Sequence, residues 1–227
     1  MEVGGFYLDT VMEEIKNQQL VAILRGESID CLENTADSLY KGGIRILEIT
    51  MNTPGVLKGI ERLKRLNPNM IIGAGTVLDP ESAKLAIFSG ADFLLAPTLN
   101  KKTISMANRY NIPIIPGVLT PTEALRAYEY GVKMIKIFPV CELGSNYISD
   151  LKGPMPFLDI MSVGGICLKN VKDYLSAGSC SLGIGSSLVD NNLIKSRNFL
   201  EIEKRAKTFV EIADQFKTSN KKSRDKV

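Results

Sequence analysis

The sequence predicts an α/β protein built as a single (β/α)8 barrel with a helix ahead of the first strand. Short β-branched runs recur roughly every 20 to 26 residues, each followed by an amphipathic stretch, which is the rhythm of repeated βα units on a parallel sheet. Eight such runs occupy 227 residues, and 44% hydrophobic content suits one large core better than two small ones. The amphipathic stretches also open on capping residues and close on glycine. Eight units in one domain favour closure into a barrel over an open, doubly wound sheet.

A helix over 9–17 precedes the first run, at 20–24. The remaining runs fall at 45–50, 71–76, 93–97, 112–116, 134–138, 159–163 and 181–185. Helical spacing of apolar residues marks 31–40, 53–66, 80–89, 101–110, 121–130, 168–177 and 199–216. Thr53-Pro54, Asp79-Pro80 and Thr120-Pro121 read as an N-cap followed by proline at the first helical position. Gly42-Gly43, Gly90, Gly131 and Gly178 mark helix ends. The barrel domain is expected over 1–216, and 217–227 is expected to be a disordered basic tail.

That tail holds five basic residues and one acidic, a net of +4, so the net charge of +3 leaves the rest of the chain at −1. With neither a basic face nor an aromatic platform, no nucleic-acid partner is expected. No apolar run approaches the roughly 20 residues of a membrane helix, and Met1-Glu2-Val3-Gly4-Gly5 has neither the basic start nor the apolar stretch of a signal peptide. The expectation is therefore a cytoplasmic protein with no membrane partner. Cys31, Cys141, Cys167 and Cys180 lie far apart without a C-x-x-C pair, which suits reduced thiols. Cys141 reads as small buried filler close to the site.

The chain has no histidine, so Ser-His and Cys-His nucleophiles, a His-ligated zinc and an imidazole base are all excluded. Attention falls on Lys136, set in Val132-Lys133-Met134-Ile135-Lys136-Ile137-Phe138-Pro139, a run that reads as a buried strand. Burial disfavours the ammonium and leaves a neutral amine able to attack a carbonyl. The bland alternative is a lysine ending a strand at the surface. Glu48, inside Ile46-Leu47-Glu48-Ile49, is a buried carboxylate whose pKa burial raises toward the range of a proton shuttle, or else one half of a salt bridge.

In a barrel the chemistry gathers at the carboxyl ends of the strands, where Arg25, Glu48, Thr76 and Lys136 close their runs. The last two runs end in Gly164-Gly165 and Gly185-Ser186-Ser187, where missing side chains let backbone N–H groups approach an anion such as phosphate. Tight turns between strand and helix are the alternative. Gly183-x-Gly185 is no dinucleotide fingerprint, because Leu188 stands where the third glycine belongs.

Several segments together resemble one family in order and spacing, over about residues 20–216. They are Gly42-Gly43-Ile44-Arg45-Ile46-Leu47-Glu48-Ile49-Thr50, Ile72-Gly73-Ala74-Gly75-Thr76-Val77, Ile115-Pro116-Gly117-Val118 with Thr120-Pro121-Thr122-Glu123, and Lys136-Ile137-Phe138-Pro139. The family is the bacterial KHG/KDPG aldolases. The resemblance implies a class I lyase, free of metal and cofactor, that cleaves 2-keto-3-deoxy-6-phosphogluconate or 4-hydroxy-2-oxoglutarate to pyruvate and an aldehyde. It makes Lys136 the Schiff-base lysine and Glu48 the acid–base group. Thr76 would help hold the pyruvate carboxylate, Arg25 would bind an anion, and Phe138 and Pro97 would line the pocket. It also implies a homotrimer.

Three positions depart from the family pattern: Asn52 where many members have arginine, Val163 where threonine is usual, and Ser186 where some members have glycine. The first two leave open a non-catalytic barrel that binds a sugar phosphate, and the barrel with its glycine turns leaves open a sugar-phosphate isomerase or epimerase.

Overall fold

The structure, a computed structural model, describes residues 3–26 and 31–224, with side chains described for 9–26 and 31–219. In chain order the elements are α1 (Val3–Gln18), β1 (Leu20–Leu24), α2 (Leu32–Lys41), β2 (Ile46–Thr50), α3 (Val56–Leu66), β3 (Ile71–Gly75), α4 (Pro80–Phe88), β4 (Phe93–Leu95), α5 (Lys101–Arg109), β5 (Ile114–Ile115), β6 (Gly117–Val118), α6 (Pro121–Glu129) and β7 (Met134–Ile137). A 3-10 turn (Val140–Glu142), α7 (Asn146–Lys152), β8 (Asp159–Val163), α8 (Val171–Ser176), β9 (Ser181–Ile184), α9 (Asn191–Lys195) and α10 (Phe199–Arg224) complete the chain.

All described strand pairs are parallel, in the order β5-β4-β3-β2-β1-β9-β8-β7-β6. The eight runs read from the sequence supply eight of the nine strands, and the ninth, β6, lies just past Pro116, where the fifth run was expected to end. Proline has no N–H to give the ladder. Ile114 and Ile115 pair with β4, Gly117 and Val118 pair with β7, and the Pro116 carbonyl accepts from Lys136 N at 2.8 Å. The chain thus passes from one neighbour to the other through a single residue, and the sheet becomes a nearly closed barrel.

Strand alternation divides the core in two. Leu47, Ile49, Ile72, Ala74, Ile135 and Ile137 pack between sheet and helices. Val21, Ile23, Ile46, Phe93, Met134, Met161 and Val163 fill the barrel interior, where Val11, Met12 and Ile15 of α1 join them. The strands are buried on both faces, as covered parallel sheets require. Lys16 pairs with Asp159 at 2.7 Å and Lys133 pairs with Asp9, so α1 is tied to the starts of β7 and β8 and stops the amino end of the barrel.

Two of the three expected caps form. Asp79 accepts from Ser82 N at 2.6 Å, and Thr120 and Glu123 exchange the two bonds of a capping box. Thr53-Pro54 does not start α3, which begins at Val56 behind Gly55. Thr53 is buried instead, its Oγ1 3.2 Å from Thr50 Oγ1 and accepting from Gly26 N at 3.3 Å, so it joins the ends of β1 and β2. The helix expected over 168–177 is shorter, Val171–Ser176, because the Asn170 side chain is drawn back to Cys167 N. The last helix continues past 216 to Arg224, into the stretch read as a tail, and 225–227 lie outside the described residues.

Candidate active site

The inward alternation of each strand continues to its carboxyl end and delivers the polar residues there. Arg25 follows Val21 and Ile23, Glu48 follows Ile46, Lys136 and Phe138 follow Met134, and Gly165 follows Met161 and Val163. Together they line one cavity of about 300 Å³, with Gly164, Gly185, Ser186 and Ser187 on the same wall. A cleft of about 340 Å³ at the amino end, lined by Gln18, Arg45, Asp214 and Lys217, has its lysine and aspartate paired with each other at 3.1 Å. It lies away from the strand ends where barrels do chemistry.

Space for the carboxylate comes from β3. A Cβ on Gly75 would overlap the Glu48 side chain, and one on Gly73 would overlap the Phe93 ring, which fills the barrel beneath. Glu48 is only 1% exposed and Lys136 only 5%. Burial pushes the Glu48 pKa up, against the smaller opposing pull of Lys136 and Arg25. Burial likewise pushes Lys136 down, with Arg25 adding to the effect and Glu48 opposing it. The Phe138 ring, its centroid 4.7 Å from Lys136 Nζ, gives the ammonium some compensation. The direction for both groups is toward the uncharged form. Glu48 Oε2 is buried without a hydrogen-bond partner among the described residues, which leaves it for a bound molecule.

Gly164 and Gly165 take φ values of +100° and +77°, the left-handed region that favours glycine. Gly185 accepts from Leu188 N at 2.9 Å and Val189 N at 2.8 Å, forming the turn that presents Ser186 and Ser187. Thr76 and Pro97 are not part of the cavity wall. Thr76 is out of step with the inward residues of β3 and leaves the strand at φ +57°, while the Pro97 backbone lies against Gly117. Asn52 is exposed and also off the wall. Cys141 is exposed rather than buried, and its Sγ donates to Glu142 Oε1 at 3.5 Å. Among the described residues no cluster of three or more Asp, Glu or Cys could hold a metal.

Sequence reasoning did not place Ile23, Ile166, Gly183, Val189 or Asn191 on the wall, whereas Val163 lies there, beside the expected phosphate site. Strand parity could have found Ile23 and Gly183. Asn191 opens a five-residue helix with no apolar period to reveal it.

The family model described as "Aldolase: KDPG and KHG aldolase" matches residues 11–205. A 2-dehydro-3-deoxy-phosphogluconate aldolase of Haemophilus influenzae is 35% identical over 203 residues, which span 89% of this chain and 96% of that protein. The KHG/KDPG aldolase of Escherichia coli K12 is 33% identical over 177 residues, 78% of this chain and 83% of its own. Among solved structures, a Legionella pneumophila KDPG aldolase with pyruvate captured as a covalent carbinolamine superposes with a TM-score of 0.79 at 27% identity, over 91% of this chain and 97% of that one. These likenesses favour the aldolase over the isomerase and ligand-sensor alternatives. With the family model spanning nearly the whole barrel and a relative 35% identical along almost its full length, the chain belongs to the KDPG and KHG aldolase family and is an aldolase.

Proposed function

We propose that this aldolase works by Schiff-base chemistry on a 2-keto-3-deoxy acid, with Lys136 as the nucleophile and Glu48 as the proton carrier. The reading rests on one observation: a buried amine and a buried carboxyl, both driven toward their neutral forms, share a cavity at the carboxyl ends of the strands. Lys136 adds to the C2 carbonyl, and Glu48 gives its proton to the departing hydroxyl as the carbinolamine loses water, leaving a protonated imine and a Glu48 carboxylate. The imine draws the electrons of the breaking C3–C4 bond into an enamine as Glu48 takes the C4 hydroxyl proton and the aldehyde departs. Protonation of the enamine at C3 and hydrolysis of the imine release pyruvate and return the amine.

The first substrate to test is 2-keto-3-deoxy-6-phosphogluconate, giving pyruvate and glyceraldehyde 3-phosphate, with 4-hydroxy-2-oxoglutarate, giving pyruvate and glyoxylate, beside it. The names of the relatives support both. Arg25 is assigned to a substrate anion, and Gly164, Gly165, Gly185, Ser186 and Ser187 to the distal phosphate. Phe138 would pack on the reacting carbons. Thr76 and Pro97 stay near the mouth as weaker assignments. Val163 offers no hydroxyl to a phosphate, and a missing bond to a charged group costs roughly 1.5–3 kcal/mol. Equal kcat/KM with and without the phosphate would remove the phosphate-site assignment.

The decisive experiment is borohydride reduction in the presence of pyruvate, followed by peptide mass spectrometry. A pyruvate-derived adduct confined to Lys136 is expected, and Lys136→Ala should give none. Labelling spread over surface lysines would overturn the reading.

The resemblance also supports a homotrimer, a reading compatible with exposed apolar side chains such as Phe88, 65% exposed, and the Tyr128–Phe157 ring pair. Light scattering should then give three times 24.9 kDa. Four free cysteines accord with a cytoplasmic setting.

A further inference from the structure

Asn170, the residue before α8, has both ends of its amide engaged. Its Oδ1 accepts from Cys167 N at 2.8 Å, and its Nδ2 donates to the Gly165 carbonyl at 2.9 Å. Gly164 and Gly165 have no side chains to anchor them, so the orientation of their turn depends on what grips its backbone. Gly165 also lies against the segment after β7, since a Cβ on it would overlap Cys141.

Tyr174, four residues beyond Asn170 and 4% exposed, donates its hydroxyl to the Val140 carbonyl at 3.3 Å. Val140 lies just past the strand that carries Lys136. Asn170 therefore fastens the turn after β8, and Tyr174 fastens the segment after β7. The start of α8 sets the separation between the wall formed by Gly164 and Gly165 and the wall formed by Lys136 and Phe138.

We infer that Asn170 is a positioning residue for the aldehyde half of the substrate, acting through the Gly165 peptide and leaving the attack of Lys136 on the keto group untouched. The inference rests on the aldolase reading and goes beyond it by separating recognition of the two halves. No charged side chain is needed for this, because the grip is on the backbone that lines the cavity.

The test uses condensation of pyruvate with glyceraldehyde 3-phosphate and, in parallel, with glyoxylate. Asn170→Ser keeps a side-chain oxygen acceptor on the side of Cys167 N but loses the donor to Gly165. Asn170→Asp also keeps the acceptor and turns a carboxylate oxygen toward the carbonyl. In both variants the KM for glyceraldehyde 3-phosphate should rise about tenfold to a hundredfold, the cost of a misplaced binding wall. The KM for pyruvate and the rate of borohydride trapping on Lys136 should stay as in the unaltered protein.

An unchanged aldehyde KM in both variants would overturn the inference. So would a parallel loss of aldehyde binding, pyruvate binding and thermal stability, which would make Asn170 a structural clamp on its loop only. If pyruvate gives no adduct on the unaltered protein, the aldolase reading fails first and this inference falls with it. Glyoxylate, which lacks the distal phosphate, should respond less than glyceraldehyde 3-phosphate.

Discussion

Lys136 and Glu48 each bear a cost in the folded state, because an ionisable side chain is buried at both positions. Glu48, with its pKa raised, destabilises the folded state at pH values above the ordinary glutamate value of 4.5, where the unfolded chain ionises more readily. Lys136, with its pKa lowered, destabilises it below the ordinary lysine value of 10.5, where the unfolded chain takes the proton more readily. Between those limits both costs are present together. The double variant Glu48→Gln with Lys136→Met should therefore be more stable, by about 1–4 kcal/mol near neutral pH, with the gain shrinking toward either limit. Urea unfolding across the pH range checks this, and a gain that does not vary with pH would refute the assignment. Glu48→Gln alone should lower kcat by roughly 10²–10⁴-fold while leaving the overall fold intact. Both residues were legible in the sequence because a charged side chain in an apolar β run is itself the signal. Thr76 lies off the cavity wall because it is out of step with the inward residues of β3, a facing that proximity to a strand end does not give.

At the level of elements, the strands could be read from composition, and the helix starts from short-range chemistry. Asp79-Pro80 and Thr120-Pro121 became caps, whereas Thr53-Pro54, with the same signature, became a buried clamp between two strand ends. The difference lies in a contact with Gly26, 27 residues away in the chain, which local spacing cannot report. Asp79→Ala should lower stability by about 1 kcal/mol with activity per folded molecule unchanged, as paired unfolding and rate measurements would show. The five-residue α9 escaped notice for a related reason: it is too short to carry an apolar period, yet it brings Asn191 to the cavity wall.

Across the whole molecule, the α1 stopper and the candidate active-site cavity occupy opposite ends of the barrel. The amino end is stopped by α1, and the carboxyl end holds the cavity. Ile15 is fully buried in the stopper, so Ile15→Ala should cost about 2–5 kcal/mol in unfolding free energy while leaving the KM for pyruvate unchanged. A large rise in that KM would mean the two ends are coupled. The eightfold βα rhythm made the barrel legible, but the fifth run, read over 112–116, ended at Pro116, and the division of that strand into β5 and β6 was not read.

That division bears on how copies of the chain behave toward one another. A sheet that stops short of closing normally exposes a row of free N–H and C=O groups on which a strand from another molecule can build. Here the two edges are β5 and β6, each two residues long and joined to one another through Pro116, which has no N–H to offer. An incoming strand finds too short a template to register on. The seam in the barrel is thereby guarded against edge-to-edge aggregation by the same proline that creates it.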